Sequence, residues 1–135
     1  MALQYSTTVR NAELDALETA VGTSPILKIR SGSAPANCAT ADSGTVLATM
    51  TLPSDWLAAA SSGSKAKSGT WQDSSADATG TAAHFRIYDS TGTTCHLQGT
   101  VTATGGGGDL TLDNTSIASG QSITINTFSI TAANA

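Results

Sequence analysis

Two hydrophobic periods divide the chain. Between Thr7 and Val21, Leu14, Leu17 and Val21 recur three and four residues apart, which makes one narrow apolar stripe on a helix. Thr7 or Thr8 can cap its start, Gly22 supplies a stop, and Pro25 follows where it cannot extend a helix. Val9 and Leu3 extend the stripe in the same sense. A helix this short is marginal alone in water, so the stripe must pack on something, either its own domain or a neighbouring subunit.

From Pro25 onward the period drops to two. Leu27 and Ile29 alternate with Lys28 and Arg30, the pattern of a half-buried strand. A Ser, Gly, Ala and Pro-rich loop from Ser31 to Gly44 leads to a second strand over Val46–Leu52, which Pro53 ends. Ser54–Ala60 reads as a one- or two-turn helix capped by Ser54, and Ser61–Lys67 as a flexible, weakly basic loop. Gly69–Gln72 is a short strand. The clearest hairpin follows, with Ala83–Tyr88 and Thr94–Val101 flanking the turn Asp89-Ser90-Thr91-Gly92-Thr93. Its alternation places Phe85, Ile87, Cys95, Leu97 and Val101 on a core face. His84, Arg86, Tyr88, His96 and Gln98 fall on the opposite, outward face.

Gly105–Gly108 is a turn, Leu110 and Leu112 mark a strand, and Ser119-Gly120-Gln121 is a further turn. The last strand, Ser122–Thr131, changes phase between Ile125 and Phe128, which a bulge near Asn126-Thr127 would reconcile. Seven or eight short strands with regular turns predict a mainly β protein. The expected fold is a single antiparallel β-sandwich or jelly-roll-like domain with a short N-terminal α-helical arm. The expected division is an arm over residues 1–23, dispensable for folding, and a β-sandwich domain over residues 24–135. Trp56 and Trp71 are expected in or at the edge of the core.

Composition agrees with this pattern. Charged residues make up 12% and apolar residues 39%, with Ser, Thr, Ala and Gly filling the rest, a mixture that suits strands and turns better than a helical bundle. At 135 residues there is enough chain for one core. The formal net charge of -4 and the scatter of Arg10, Lys28, Arg30, Lys65, Lys67 and Arg86 argue against direct nucleic-acid binding. No apolar run approaches a membrane span. The opening Met1-Ala2-Leu3-Gln4-Tyr5-Ser6 has neither a basic nor an apolar signal region, so synthesis and assembly in a reducing cytoplasm are expected. Cys38 and Cys95 are then expected as buried free thiols, with one disulfide as the alternative.

Candidate chemistry is sparse. His84 and His96 share a hairpin face with Asp89 nearby, but spacing gives only two plausible ligands where zinc wants three or four. No Gly-x-Ser-x-Gly elbow or phosphate-binding loop is present, and the abundance of Ser makes any Ser-His-Asp pairing uninformative. Asp109 and Asp113 flank a strand on its solvent side. Neither an enzyme nor a cofactor is expected. The outward His84, Arg86, Tyr88, His96 and Gln98 face, together with Leu14, Leu17 and Val21 of the arm, is the candidate protein-contact surface.

The chain also resembles a group of short phage and prophage structural proteins. The likeness is carried by Met1–Ala12, Leu14–Thr19, Leu27–Gly32, Ala34–Cys38, Ser43–Ala48, Leu52–Trp56, His84–Asp89 and Thr102–Asp109, which together run through nearly the whole chain. It is similar to the capsid cement, or head-decoration, proteins of tailed bacteriophages. That resemblance implies a virion protein, made in the host bacterial cytoplasm, that sits on the capsid surface. It further implies binding to the exterior of the major capsid protein shell and self-association into a homo-oligomer. The alternative it leaves open is a tail-associated tip or fibre domain, structural or receptor-binding. It carries over no catalytic residue.

Overall fold

The computed structural model describes residues 3–132. The chain is mainly β, with a single N-terminal helix and a curled, largely antiparallel sheet in a sandwich-like arrangement. Helix α1 spans Thr7–Val21, with Ser6 rather than Thr7 or Thr8 as its cap: the Ser6 hydroxyl accepts from the Val9 amide at 3.2 Å. Gly22, at φ 92°, closes the helix by donating its N–H to Glu18 O. Left-handed backbone of this kind is where glycine is favoured.

Five strands form the main sheet in the order β2-β1-β6-β7-β8. They are β1 (Ile26–Arg30), β2 (Val46–Thr51), β6 (His84–Tyr88), β7 (Cys95–Ala103) and β8 (Leu110–Leu112). All pairings are antiparallel except β7 with β8, where Val101–Ala103 run parallel to Leu110–Leu112. Six shorter strands complete three ribbons: β3 (Ser64–Ala66) with β11 (Ser129–Thr131), β4 (Trp71–Asp73) with β10 (Ile123–Ile125), and β5 (Gly80–Thr81) with β9 (Ser116–Ile117).

The register sorts the two faces of the main sheet. Leu27 stands opposite Met50 and Ile87, and Ile29 opposite Ala48 and Phe85, so these side chains build one apolar face. Across that face lie Trp56, Trp71, Ile123, Ile125 and Phe128 in the same continuous core. Trp71 packs against both Trp56 and Phe128, and Phe128 meets Phe85 edge-on with centroids 5.8 Å apart. Trp56 and Trp71 are fully buried, as expected, and each indole N–H finds a carbonyl, Gly22 O and Ser68 O respectively.

Several local expectations need correction. Ser54–Ala60 is not helical; Leu57 bridges Lys67, and Ala58 N–H donates to Ala66 O, so the segment runs extended beside β3. The supposed loop over Ser61–Lys67 contains β3 itself. Ser62 and Gly63, both at positive φ, make a tight reversal in which Ser61 and Ser64 exchange both backbone hydrogen bonds. The phase change after Ile125 is not a bulge within one strand. The chain leaves the ribbon with β4 at Ile125 and joins the ribbon with β3 at Ser129, so one expected strand is two.

The helix is seated on the domain. Leu14 and Val21 are buried, and Leu17 packs against the core, so the stripe faces inward. The polar side is fastened as well. Lys65, 3% exposed, reaches Asp15 Oδ1 at 2.7 Å and Glu18 Oε2 at 3.1 Å. Arg10 Nε donates to Ala132 O, and Gly63 N–H donates to Asn11 Oδ1. Val9 and Leu3 do not extend the buried stripe; both are exposed. Among the described residues no helix is long and apolar enough to cross a membrane.

Candidate functional site

The second face of the main sheet carries Lys28 and Arg30 from β1 and His84, Arg86 and Tyr88 from β6. Cross-strand pairing sets Lys28 beside Arg86, Arg30 beside His84, and Ile26 beside Tyr88. That concentrates cationic side chains on one surface, and like charges side by side need an acid. The loop over residues 31–44 supplies it. The neck of this loop is closed by Ser31 N–H to Thr45 O and Thr45 N–H to Ser31 Oγ, and Gly44 makes the closure possible. A Cβ at Gly44 would lie 1.8 Å from Ser31 O, at a φ of +71°.

Folded over the sheet, the loop encloses Arg86. The Arg86 Nη1 group donates to Asp42 Oδ1 and Nε donates to Gln98 Oε1 at 3.1 Å. Nη2 faces three loop carbonyls, Asn37 O, Cys38 O and Thr40 O, at 3.0–3.1 Å. Asp42 also accepts from Tyr88 OH at 2.6 Å and from Arg30 Nη2 at 2.9 Å. Gln98 Nε2 closes the set by donating to Pro35 O at 2.7 Å. One carboxylate therefore serves two arginines, and the loop carbonyl dipoles offset the remaining positive charge.

Electrostatics follow from that geometry. Burial opposes the charge on Asp42, but its hydrogen bonds from Tyr88 and Arg86 and the two guanidinium charges hold its carboxyl below the ordinary 3.8. Burial raises the Tyr88 hydroxyl, and its bond to Asp42 raises it further. Arg86 is held above its usual value because the Asp42 hydrogen bond and neighbouring groups outweigh burial. Tyr88 and Arg86 thus act as fixed donors and Asp42 as a fixed acceptor. The cluster is a clamp that joins loop to sheet.

The face expected to point outward is therefore covered. His84, Arg86 and Tyr88 are buried and Gln98 is half-buried; of the eight candidate contact residues, which also include Leu14, Leu17 and Val21, His96 alone is exposed. On β6 the alternation sets His84, Arg86 and Tyr88 on one face as expected, but a central strand is covered on both sides, here by the core and by the loop. His84 Nδ1 donates to Gly32 O at 2.7 Å, leaving Nε2 buried without a partner. His84 stands opposite Thr100 while His96 lies at the far end of the hairpin, so the two do not converge. Among the described residues no group of three or more His, Cys, Asp or Glu side chains could hold a metal ion.

A second correction concerns Cys95. The β6–β7 register shifts so that Ile87 faces Leu97 but Tyr88 faces Cys95, leaving His96 as the extra residue of a bulge. Cys95 consequently leaves the Phe85 and Ile87 face and joins Arg86, Tyr88 and Cys38 around a small cavity of about 220 Å³ under the loop. Cys38 and Cys95 are both half-buried free thiols.

Sequence reading missed Asp42, Asn37 and Thr40. A signal was present: the alternation put Lys28, Arg30, His84 and Arg86 on equivalent positions of two strands, and Asp42 is the sole acidic residue of the intervening loop. A larger cleft of about 530 Å³ lies elsewhere, between β7 and β11, lined by Phe85, Leu97, Gln98, Asp109, Phe128 and Ile130. Its floor is apolar and Asp109 Oδ2, which accepts from Thr100 N–H and Oγ1, marks its rim. Compared with known proteins, the chain matches no family, no curated protein and no solved structure.

Proposed function

We propose that this chain is a structural protein of a tailed-bacteriophage particle, a cement or head-decoration protein on the outside of the major capsid protein shell. The observation that carries the reading is where its exposed apolar surface falls. Leu3, Tyr5 and Val9, the large hydrophobic side chains left exposed among the described residues, all lie within the first turn of α1 and the segment before it. Exposed apolar side chains gathered in one short stretch of the chain fit a docking arm. The rest of the arm is anchored, so this end is presented from a rigid base.

The same reading is what the sequence resemblance to phage structural proteins implies. A low-charge, Ser- and Thr-rich domain, bound through many copies, stabilises a shell by avidity. The partners in this reading are the major capsid protein and further copies of the chain. The deciding experiment is quantitative mass spectrometry of purified virions. A copy number near that of the major capsid protein supports decoration of the head. A far lower one favours the tail-associated alternative, for which the Phe85, Leu97 and Phe128 cleft is the place to test a host-surface ligand, starting with a glycan array.

A further inference from the structure

We propose that Cys38 and Cys95 are a redox pair, and that their oxidation to a disulfide locks the residue 31–44 loop onto the sheet over the Arg86 clamp. The inference does not rest on the phage reading. Three features of the geometry carry it. Cys38 and Cys95 line one small cavity together with Asp42, Arg86 and Tyr88. The β7 bulge turns Cys95 away from the core face and toward the loop that carries Cys38, on the other wall of that cavity. The loop backbone at Cys38 is also held in place, since Arg86 Nη2 donates to Cys38 O at 3.1 Å. The clamp thus holds the Cys38 backbone over the cavity that Cys95 also lines before any covalent bond forms.

The oxidant is a low-molecular-weight disulfide such as oxidised glutathione. The Cys38 thiolate attacks it, forming a Cys38–glutathione mixed disulfide and releasing one glutathione thiol. Cys95 then loses its proton to solvent and attacks the Cys38 sulfur, and the second glutathione leaves as thiol. Two protein thiols are oxidised, and one small disulfide is reduced to two thiols. Burial, reinforced by the neighbouring Cys38 thiol, pushes the Cys95 thiol up to about 11, which keeps it protonated near neutrality. Its thiol donates meanwhile to Leu97 O at 3.3 Å. The second step therefore quickens with rising pH.

The test is intact-mass and peptide analysis of the full chain after incubation with oxidised glutathione. The expected result is a mass lower by two hydrogens, a Cys38–Cys95 cross-linked peptide, and a Tm higher by about 10 °C that reverts with dithiothreitol. Cys95→Ser should stop at the Cys38 mixed disulfide with no gain in Tm. Wild-type protein that keeps two free thiols, carries two separate glutathiones, or links between chains overturns the proposal.

Discussion

Asp42 and Arg86 lie 44 residues apart in sequence, yet the carboxylate of one is the anionic partner of the buried guanidinium of the other. The two are not equivalent. The Asp42 side chain is 40% exposed and that of Arg86 is 2% exposed, so only Asp42 has water to fall back on if the pair is broken.

That asymmetry predicts an order of effects. Asp42→Ala leaves two guanidinium groups without their carboxylate inside the fold and should cost about 3 kcal/mol. Arg86→Met removes the buried charge itself and leaves a partly exposed carboxylate, still paired to Arg30, so it should cost clearly less. Urea unfolding of both variants checks the order, and equal losses would mean that the loop carbonyls, not Asp42, hold the guanidinium.

Tyr88 was expected on an outward face, where truncation would spare the fold. It is 2% exposed and its hydroxyl donates to Asp42, so Tyr88→Ala should destabilise by roughly 3 kcal/mol. Tyr88→Phe removes only the hydrogen bond and should cost about 1 kcal/mol. Leu97→Asp, which puts a charge against the core, should prevent folding. Thermal melts of the three variants distinguish these cases.

The pH dependence has two limbs of opposite sign. Asp42 and Asp15 are held below 3.8 in the folded chain, Asp15 chiefly by its Lys65 hydrogen bond. The stability they add is present above pH 3.8 and is lost as pH falls through their lowered values. Lys65 and Tyr88 move the other way. Burial opposes the Lys65 charge, but hydrogen bonds to Asp15 and Glu18 prevail and hold it above 10.5, while burial and Asp42 hold Tyr88 above 10.0. Their contribution is full below those ordinary values and is lost as pH rises through the raised ones. Denaturant midpoints followed against pH should fall at both extremes, and Asp42→Asn should flatten the acid limb.

The arm is expected to be needed for folding, contrary to what its position before the strands implied. Deleting residues 1–22 would uncover the core beside Leu14 and Val21, remove the acceptor of the Trp56 indole and strand the buried Lys65 ammonium. The truncated chain should show no cooperative melt. Leu3→Ser with Val9→Ser, by contrast, should melt within a few degrees of the parent because both side chains are exposed. On the proposed decoration role, the double variant should bind capsids less tightly in virion reconstitution.

The sequence alone determined the elements whose signals are local. Helix α1 and its glycine stop, the hairpin β6–β7, the burial of Trp56 and Trp71, and the mainly β character all follow from period, turn residues and composition. The Ser62-Gly63 reversal, whose only local signal is a Ser-Gly dipeptide, was read instead as part of a flexible loop.

Tertiary structure decided what local period cannot carry. Alternation separates Phe85 from Arg86 but does not say whether the second face meets water or a returning loop. That depended on Gly44 closing the neck against Ser31 and on Asp42 neutralising the arginines from far along the chain. The bulge at His96 moved Cys95 across the sheet for a similar reason: an extra residue inverts every facing beyond it, and only the pairing with Tyr88 reveals where it sits. Sequence fixes which residues can share a face, whereas long-range contacts decide what that face is pressed against.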